Sequence, residues 1–399
     1  MKVRAPRVRY LALEGLRRPV ALHDCDELLP LFSQILGTWP GAVSREAAAH
    51  PVISIRRRGD RFVLNSPWAE RDLADDSGPG TVCSTLVDLA TEFAIDNPSL
   101  LGLHCGAVDL GGRLVLFPAA TRTGKSTLIA RLAAAGHCIW ADDLLAVDPV
   151  AGTGRAFGIL PRLRRPVPRA AGRVLANFVR ARKGVADRRQ VYLALNGQEL
   201  AGFGETCRLG AIVLPERQAR GAAMLEPVGP GKALERLLLQ NLAQVGAASD
   251  LLDALAGLAA RLPAFRLRYC DLDEAADLLA ATDWPRLADM PGDGPGQPRE
   301  KPRTPRKPAL GRDRLVRDPT AELREIDGER FLVSSRSQAI FGLNPVAAGV
   351  WGLLEAPITE EEIGALVTAA FPNIEPAEVA RDVHALLRRL VREGLVLAG

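Results

Sequence analysis

The spacing of apolar and polar residues predicts alternating strands and helices through the middle of the chain. The apolar run Leu114–Phe117 predicts a buried strand. It is followed by a glycine-containing turn and by a helical pattern over 126–135 that stops at Gly136. Similar strand and helix patterns continue to about residue 284. This order indicates an α/β domain, which we place at residues 100–284.

The first hundred residues carry weaker patterns. Strands are predicted at 52–55 and 61–64, and Ser84 is predicted to cap a helix over 85–95. We interpret residues 1–99 as a small N-terminal α+β subdomain.

The last 80 or so residues show a third pattern, in which short strands precede three helices. The turn and cap residues that mark these elements are Asp327, Gly328, Asn344, Pro345 and Thr359. Asp-Gly between two strand patterns is a strong hairpin signal, and the other three residues are typical helix starts. The third helix, over 376–393, is amphipathic. We therefore predict a winged-helix-like domain at 319–399.

Prolines, glycines and charges dominate the segment 285–318, which has almost no large apolar residues. Such a segment cannot bury a core and predicts a disordered linker. Residues 295–317 contain eight Lys or Arg and two Asp or Glu, a charge of +6. The whole chain carries +4, so the remainder is near −2 (4 − 6). This balance argues against nucleic-acid binding by the folded parts.

Composition is that of folded domains outside the linker. The chain has 399 residues, of which 47% are hydrophobic and 25% charged, enough for substantial cores. No apolar run reaches the ~18 residues of a membrane span, and no signal-peptide pattern follows the first residues. We expect a cytoplasmic protein without a membrane partner. Its 6 cysteines lack metal-ligand spacing and predict reduced thiols.

The turn after Leu114–Phe117 has the composition of a phosphate-binding loop. N–H groups at a helix start bind phosphate, a lysine adds positive charge, and a serine hydroxyl can bind Mg²⁺. The candidate nucleotide-binding residues are Thr121, Arg122, Thr123, Gly124, Lys125, Ser126 and Thr127. Ala119 stands where such loops have glycine, which puts a left-handed turn there in doubt. The alternative is an ordinary strand-to-helix turn.

Two adjacent carboxylates, Asp142 and Asp143, interrupt the next apolar pattern, over 136–147. We interpret this stretch as the next parallel strand, with the carboxylates near its middle. Carboxylates are costly to bury unless a cation or a proton-transfer role retains them. The alternative is a strand that ends at Ala141 in a capped turn. His104, at the start of an upstream strand pattern, is a candidate neighbour of these groups.

A basic, proline-rich segment follows at 161–169. Its prolines exclude a regular helix, so we expect an extended segment that presents arginines. Arginine suits a transferring phosphoryl group or an acidic peptide, and a solvated basic loop is the equally weighted alternative.

The order of these features resembles the HPr serine kinase family, and more closely the HPr-kinase-related proteins of peptide-modification gene clusters. The features are His104 before a Gly-Gly hairpin, the loop at 119–126, and a Gly-His start with an Asp-Asp end over 136–143. The glutamate-containing signature of HPr kinases is missing from the stretch 154–160. HPr as substrate, and phosphorolysis, are therefore not implied.

The resemblance implies the phosphate-loop fold of HPr kinase and phosphoenolpyruvate carboxykinase, with Mg-ATP-dependent phosphorylation of a hydroxyl. Lys125 and Ser126 correspond to phosphate and Mg²⁺ binding. Asp142 and Asp143 correspond to metal-binding and general-base roles, without a choice between them, and His104 to a supporting catalytic position. The likeness also admits a homo-oligomer, with a hexamer among the alternatives.

The C-terminal domain resembles the PqqD-like peptide chaperones, also called precursor-peptide recognition elements. The likeness rests on the hairpin at 327–328, the helix starts at Asn344 and Thr359, the Val350-Trp351 pair and the third helix. It implies that a leader peptide adds a strand to the sheet edge and packs against this helix. A DNA-binding winged helix is the alternative, and its recognition helix would be acidic at 360–362.

Two classes of function follow. The first is a kinase with ATP and Mg²⁺ as cofactors that phosphorylates a Ser or Thr of a ribosomally made precursor peptide held by the C-terminal domain. The second is a non-catalytic nucleotide-binding regulator or peptide-delivery chaperone. Ala119 favours the second slightly, and Asp142 with Asp143 favours the first more strongly.

Overall fold

The computed structural model describes residues 7–69, 71–119, 123–168, 171–288, 310 and 313–398. The chain divides into two compact units. The first consists of Met1–Val228, Arg236–Val245 and Gly257–Asp293, and the second of Gly229–Glu235, Gly246–Ala256 and Gly294–Gly399. No helix of the described part is long and apolar enough to cross a membrane.

Both units contain strands and helices. The strands are β1 Val8–Leu13, β2 Val20–His23, β3 Gly41–Ser44, β4 Ile53–Arg58, β5 Arg61–Asn65, β6 Leu73–Asp75, β7 Leu101–Leu103, β8 Gly106–Asp109, β9 Leu114–Phe117, β10 Ile139–Ala141, β11 Leu145–Asp148, β12 Thr153–Arg155, β13 Arg162–Arg164, β14 Lys183–Ala186, β15 Gln190–Leu193, β16 Thr206–Arg217, β17 Met224–Val228, β18 Ala264–Tyr269, β19 Leu315–Arg317, β20 Glu322–Ile326, β21 Glu329–Val333, β22 Ile340–Leu343 and β23 Val396–Ala398. The helices are α1 Leu29–Ile35, α2 Gly78–Asp96, α3 Lys125–Ala134, α4 Gly172–Ala181, α5 Pro230–Gln240, α6 Ala248–Arg261, α7 Leu272–Ala281, α8 Trp284–Ala288, α9 Pro345–Leu353, α10 Glu360–Ala370 and α11 Pro376–Arg392.

The N-terminal part of the first unit is a six-stranded sheet in the order β3-β1-β2-β4-β5-β6, with α1 and α2. Helix α2 begins earlier than expected: Ser77 caps it, not Ser84, and its side chain accepts a hydrogen bond from the N–H of Gly80. Proline is tolerated in the first turn of a helix, so Pro79 does not delay the start. The hydroxyl of Ser84 instead donates to the carbonyl of Gly80.

A nine-stranded sheet forms the centre of the first unit. Its main order is β10-β8-β9-β16-β12-β11-β7, with β18 beside β16 and β17 beside β18. Within this sheet, β9 pairs with β16 in parallel and β16 pairs with β18 in parallel among the described strands. The long strand β16 pairs with β12 and β9 through its first half and with β18 through its second half.

A separate three-stranded sheet, in the order β13-β15-β14, lies within the same unit. Helices α3, α4 and α7 contribute Leu128, Leu175 and Leu272 to a buried cluster that also contains Phe117 of β9. This packing fixes the start of α3 relative to the end of β9, which is where the candidate loop lies.

The N-terminal sheet and the rest of the first unit share a buried core. Four aromatic residues from distant segments meet there: Trp39, Phe93, Phe157 and Phe203. The ring of Trp39 stacks on Phe203 at 5.6 Å between centroids, and Phe157 lies 4.9 Å away. The cluster also includes Tyr192 of β15. Residues up to 96 therefore complete their core with residues from the middle of the chain.

The C-terminal domain has the predicted hairpin, three helices and a closing strand. β20, β21 and β22 form an antiparallel sheet, and β19 pairs with β23. Asp327 and Gly328, with φ of 50° and 76°, make the turn between β20 and β21. Asn344 caps α9 by accepting from the N–H of Ala347 at 2.8 Å. These local signals are confirmed.

Two ends of the predicted linker are ordered elements. Residues 285–288 lie in α8, and Leu315–Arg317 form β19, where Leu315 is fully buried. The prediction of disorder is wrong for these residues, because Leu315 and Val316 pair with β23 and close the domain. The rest of the predicted linker, apart from Leu310 and residues 313–318, lies outside the described residues.

Helix α10 begins with a complete capping box, in which Thr359 and Glu362 bond to each other's backbone N–H groups. Replacing Thr359 by alanine removes one of these bonds, so we expect the opening free energy of α10 to fall by about 1 kcal/mol. Hydrogen exchange of the full chain measures this change. Thr368→Ala, near the other end of the same helix, is the control and should change exchange little. Equal effects of the two substitutions would contradict the capping role.

Candidate functional site

The candidate loop connects β9 to α3. Gly124 precedes the helix with φ of 91°, a conformation that favours glycine, and a Cβ there would lie 3.1 Å from the hydroxyl of Tyr269. Ala119 is buried directly after β9. Thr121 and Arg122 lie outside the described residues. The turn thus favours glycine at position 124, where it joins α3.

Four other loop residues lie at or near the start of α3. Lys125 is buried, with 7% of its surface exposed. Thr123 and Thr127 are half-buried on either side. Ser126 lies beside Asp142, and its hydroxyl contacts that carboxylate. Burial acts to raise the pKa of Asp142, and the contact with the serine hydroxyl only partly opposes this effect. The loop lysine and serine therefore both face the aspartate pair.

Asp142 and Asp143 do not lie within a parallel strand. Strand β10 ends at Ala141 and is antiparallel to β8, and the chain bends through both aspartates before β11 begins at Leu145. The interpretation of 136–147 as one parallel strand is wrong, and the alternative that ended the strand at Ala141 is the correct one. The carboxylates leave the sheet because their partners lie on other elements.

Asp143 is surrounded by three basic side chains. Its Oδ1 lies 3.1 Å from Lys125 Nζ and 3.2 Å from His104 Nε2, and its Oδ2 accepts from Arg162 Nη2 at 2.9 Å. Burial acts to raise the pKa of Asp143, but the hydrogen bond to His104 and the charges of Lys125 and Arg162 hold it well below the usual range. Asp143 is therefore a fixed anion in this structure.

Asp142 has a different environment. It is 6% exposed, and its Oδ2 accepts from the backbone N–H of Arg162 at 3.0 Å. Burial, followed by the charge of Asp143, raises the pKa of Asp142 to about 6. Its Oδ1 has no hydrogen-bond partner among the described residues, and the described partner of Lys125 Nζ is Asp143 Oδ1. A buried oxygen without a partner, beside a buried ammonium that has further N–H donors, is a place that a bound ligand would complete.

Arg162 was absent from the predicted site residues. It belongs to β13, and its guanidinium also contacts Gln190 Oε1 of β15 at 3.3 Å. The sequence signal for Arg162 was the basic segment 161–169. Among the described residues of this segment, Arg162 is the arginine whose side chain contacts Asp143. Arg164 is exposed, and Arg165 donates to the carbonyl of Asp187. The two neighbouring arginines thus do not share the role of Arg162.

The predicted metal ligands have the right chemistry for Mg²⁺. The Ser126 hydroxyl and the carboxylates of Asp142 and Asp143 are hard oxygen donors, and one oxygen of Asp142 lacks a described partner. The described residues contain no cluster of three or more His, Cys, Asp or Glu side chains arranged for a metal. Mg²⁺ is usually bound by one or two carboxylates together with substrate phosphates, and not by a closed cage of protein ligands. Two carboxylates and a hydroxyl fit that mode of binding.

The C-terminal domain has its own candidate surface beside α11. Strand β22 is an edge of its sheet and pairs only with β21 among the described strands. The guanidinium of Arg389 on α11 lies 4.5 Å from the ring centroid of Phe341 on β22, so helix and strand edge are adjacent. A groove of about 780 Å³ runs along α11 and includes Arg389 in its wall. Its lining residues are Leu310, His384, Ala385, Arg388, Arg389, Val391 and Arg392.

Comparison with known proteins identifies this C-terminal part. Residues 329–396 match the family model of PqqD, Coenzyme PQQ synthesis protein D, so they form a PqqD domain. The chain is also similar to the solved structure described as TbiB1 in complex with the TbiA(beta) leader peptide. The match has 28% identity and a TM-score of 0.19, and it covers 20% of this chain and 93% of that chain. Comparison with curated proteins gives no match.

Proposed function

We propose that the chain is a Mg-ATP-dependent kinase that phosphorylates a Ser or Thr hydroxyl of a ribosomally made precursor peptide, whose leader is bound by the PqqD domain. The observation that carries the kinase activity is the meeting of Lys125, His104 and Arg162 at Asp143, next to the start of α3. Cations around a helix start suit a transferring phosphoryl group, because that reaction needs positioning and charge stabilisation above all.

In this proposal the start of α3 holds the phosphates of the nucleotide. Gly124 lets the backbone turn toward them, and the first N–H groups of the helix point at the anion. Lys125 Nζ lies 3.1 Å from Asp143 Oδ1 and would exchange this contact for one with a phosphate oxygen.

Ser126 and Asp142 would hold Mg²⁺, because the serine hydroxyl lies beside this carboxylate and Asp142 Oδ1 has no described partner. Bound Mg²⁺ supplies charge neutralisation at the phosphates. The backbone N–H of Arg162 keeps Asp142 oriented through its other oxygen.

We assign the general-base role to Asp143. Lys125 and Arg162 contact it in this structure. In the proposal both would move to phosphate oxygens when nucleotide binds. Asp143 would then lose two of its three basic partners, and its affinity for a proton would rise. His104 remains to position the carboxylate for the acceptor hydroxyl.

The PqqD domain supplies the peptide side of the proposal. The open edge of β22 offers unpaired backbone groups to an extended peptide, and α11 forms the wall beside it. A leader held there raises the concentration of the modifiable residues near the kinase site.

A regulator or delivery chaperone that binds nucleotide without transfer is the second candidate. Ala119 favours it, because a Cβ stands where phosphate loops have glycine, and this alanine is buried. ATP hydrolysis or transfer separates the two candidates.

Incubation of the full-length protein with ATP, Mg²⁺ and a candidate precursor peptide tests the proposal. We expect the peptide to gain one phosphate, measured by mass spectrometry. A peptide without its leader should react about a hundredfold more slowly at low concentration, because effective concentration is lost. Binding of ATP with no phosphorylated peptide would support the regulator instead.

A further inference from the structure

The arginines of the PqqD domain fall into two groups. Six of the nine in residues 313–398 have a carboxylate within ion-pair distance. These six are Arg314, Arg317, Arg324, Arg330, Arg336 and Arg392. The other three, Arg381, Arg388 and Arg389, have no ion-pair partner among the described residues, and all three are exposed on α11. The unpaired positive charge of the domain is thus confined to one helix.

Two of these three arginines, Arg388 and Arg389, line the groove beside β22. No acidic residue is among the described groove-lining residues. His384 contacts Glu360 at 2.7 Å, and Arg392 contacts Glu393 at 3.0 Å. The groove therefore presents two guanidinium groups without an ion-pair partner among the described residues, and one of them, that of Arg389, contacts the edge strand β22.

Arg389 is also held in place. Its guanidinium lies over the ring of Phe341, which belongs to the edge strand itself. Stacking on an aromatic ring orients a guanidinium without using up its N–H donors, which remain available for a carboxylate. A peptide strand added to β22 would have side chains within reach of this group.

We propose that the groove selects leader segments that carry Asp or Glu, with Arg388 and Arg389 pairing these carboxylates while the peptide backbone adds to β22. This inference rests on the proposed peptide-binding function and names the chemistry of its partner. Charge complementarity identifies the occupant. The chain's own segment 295–317 contributes Leu310 to the groove wall, but its charge of +6 does not complement the two arginines. Nucleic acid is disfavoured as the occupant, because the first turn of the neighbouring helix α10 is acidic.

Selection of a random 12-residue peptide library on the full-length chain tests this inference. We expect the bound peptides to be enriched in Asp and Glu at one or two positions within an apolar, extended pattern. Binding of one selected peptide should weaken about tenfold when its acids become Asn and Gln, and should weaken further as salt rises. Selected peptides without acid enrichment would overturn the charge inference alone, whereas a library that yields no binder would overturn peptide binding itself.

A charge exchange makes the test specific to these residues. The double variant Arg388→Glu with Arg389→Glu should bind the selected acidic peptide about tenfold more weakly. The same variant should bind a peptide with Lys in place of the acids more tightly than the unaltered chain does. Such a reversal cannot arise from misfolding. Arg381→Glu, an unpaired arginine on α11 outside the groove, is the matched control and should leave both affinities nearly unchanged. The assignment would be overturned if Arg381→Glu lost as much affinity for the acidic peptide as the double variant does. It would also be overturned if the double variant did not prefer the Lys-containing peptide.

Discussion

Replacing Lys125 by methionine is expected to weaken ATP binding by about a hundredfold or more and to abolish transfer, because it removes the buried ammonium that phosphate oxygens would contact. Methionine keeps most of the buried stem, so the loss is one of charge rather than of packing. Isothermal titration with ATP, and transfer to the precursor peptide, measure the two effects.

Lys183→Met is the control for Lys125, because Lys183 is an exposed lysine in β14 of the same unit. It should leave ATP affinity nearly unchanged. Unaltered ATP affinity in the Lys125 variant would remove the nucleotide assignment of the loop, and with it the kinase proposal.

Unlike the Lys125 substitution, Asp143→Asn is not expected to weaken ATP binding. The substitution removes an anion 3.1 Å from Lys125 and 2.9 Å from Arg162, so ATP should bind as tightly as before or more tightly. Transfer should nevertheless fall by about a thousandfold, since an amide cannot accept the proton of the acceptor hydroxyl. Single-turnover kinetics at saturating ATP separate the two quantities.

Asp148→Asn provides the comparison for Asp143. Asp148 ends β11 and accepts from the N–H groups of Val150 and Ala151 in a surface turn, and an asparagine can accept the same bonds. Transfer should therefore remain near normal in this control. If Asp143→Asn transfers phosphate at the unaltered rate, the carboxylate only neutralises its basic neighbours.

Local signals in the sequence predicted the elements that depend on neighbouring residues. Strand Leu114–Phe117 has its predicted bounds, and α3 lies within one residue of its predicted range. The hairpin at Asp327 and the caps at Asn344 and Thr359 are also confirmed. Each of these features is set by residues within about four positions, which is why spacing alone was sufficient.

Features that depend on distant residues were missed. The bend at Asp142 and Asp143 is determined by Lys125 and Arg162, which lie about 20 positions away on either side. The long strand β16 changes partners along its length, and no pattern within the strand shows this. Arg162 looked like any arginine of a basic segment until β13 and β15 placed it beside the aspartates.

The aromatic core of Trp39, Phe93, Phe157 and Phe203 also affects how the chain folds during synthesis. A ribosome adds about 5–20 residues per second, so on the order of ten seconds separates the emergence of Trp39 from that of Phe203. Throughout this interval the core that the N-terminal sheet forms with α1 and α2 lacks Phe203, and at first it lacks Phe157 as well. We expect nascent chains that stop short of residue 203 to bind chaperones or aggregate, whereas longer ones can close this core while still attached to the ribosome.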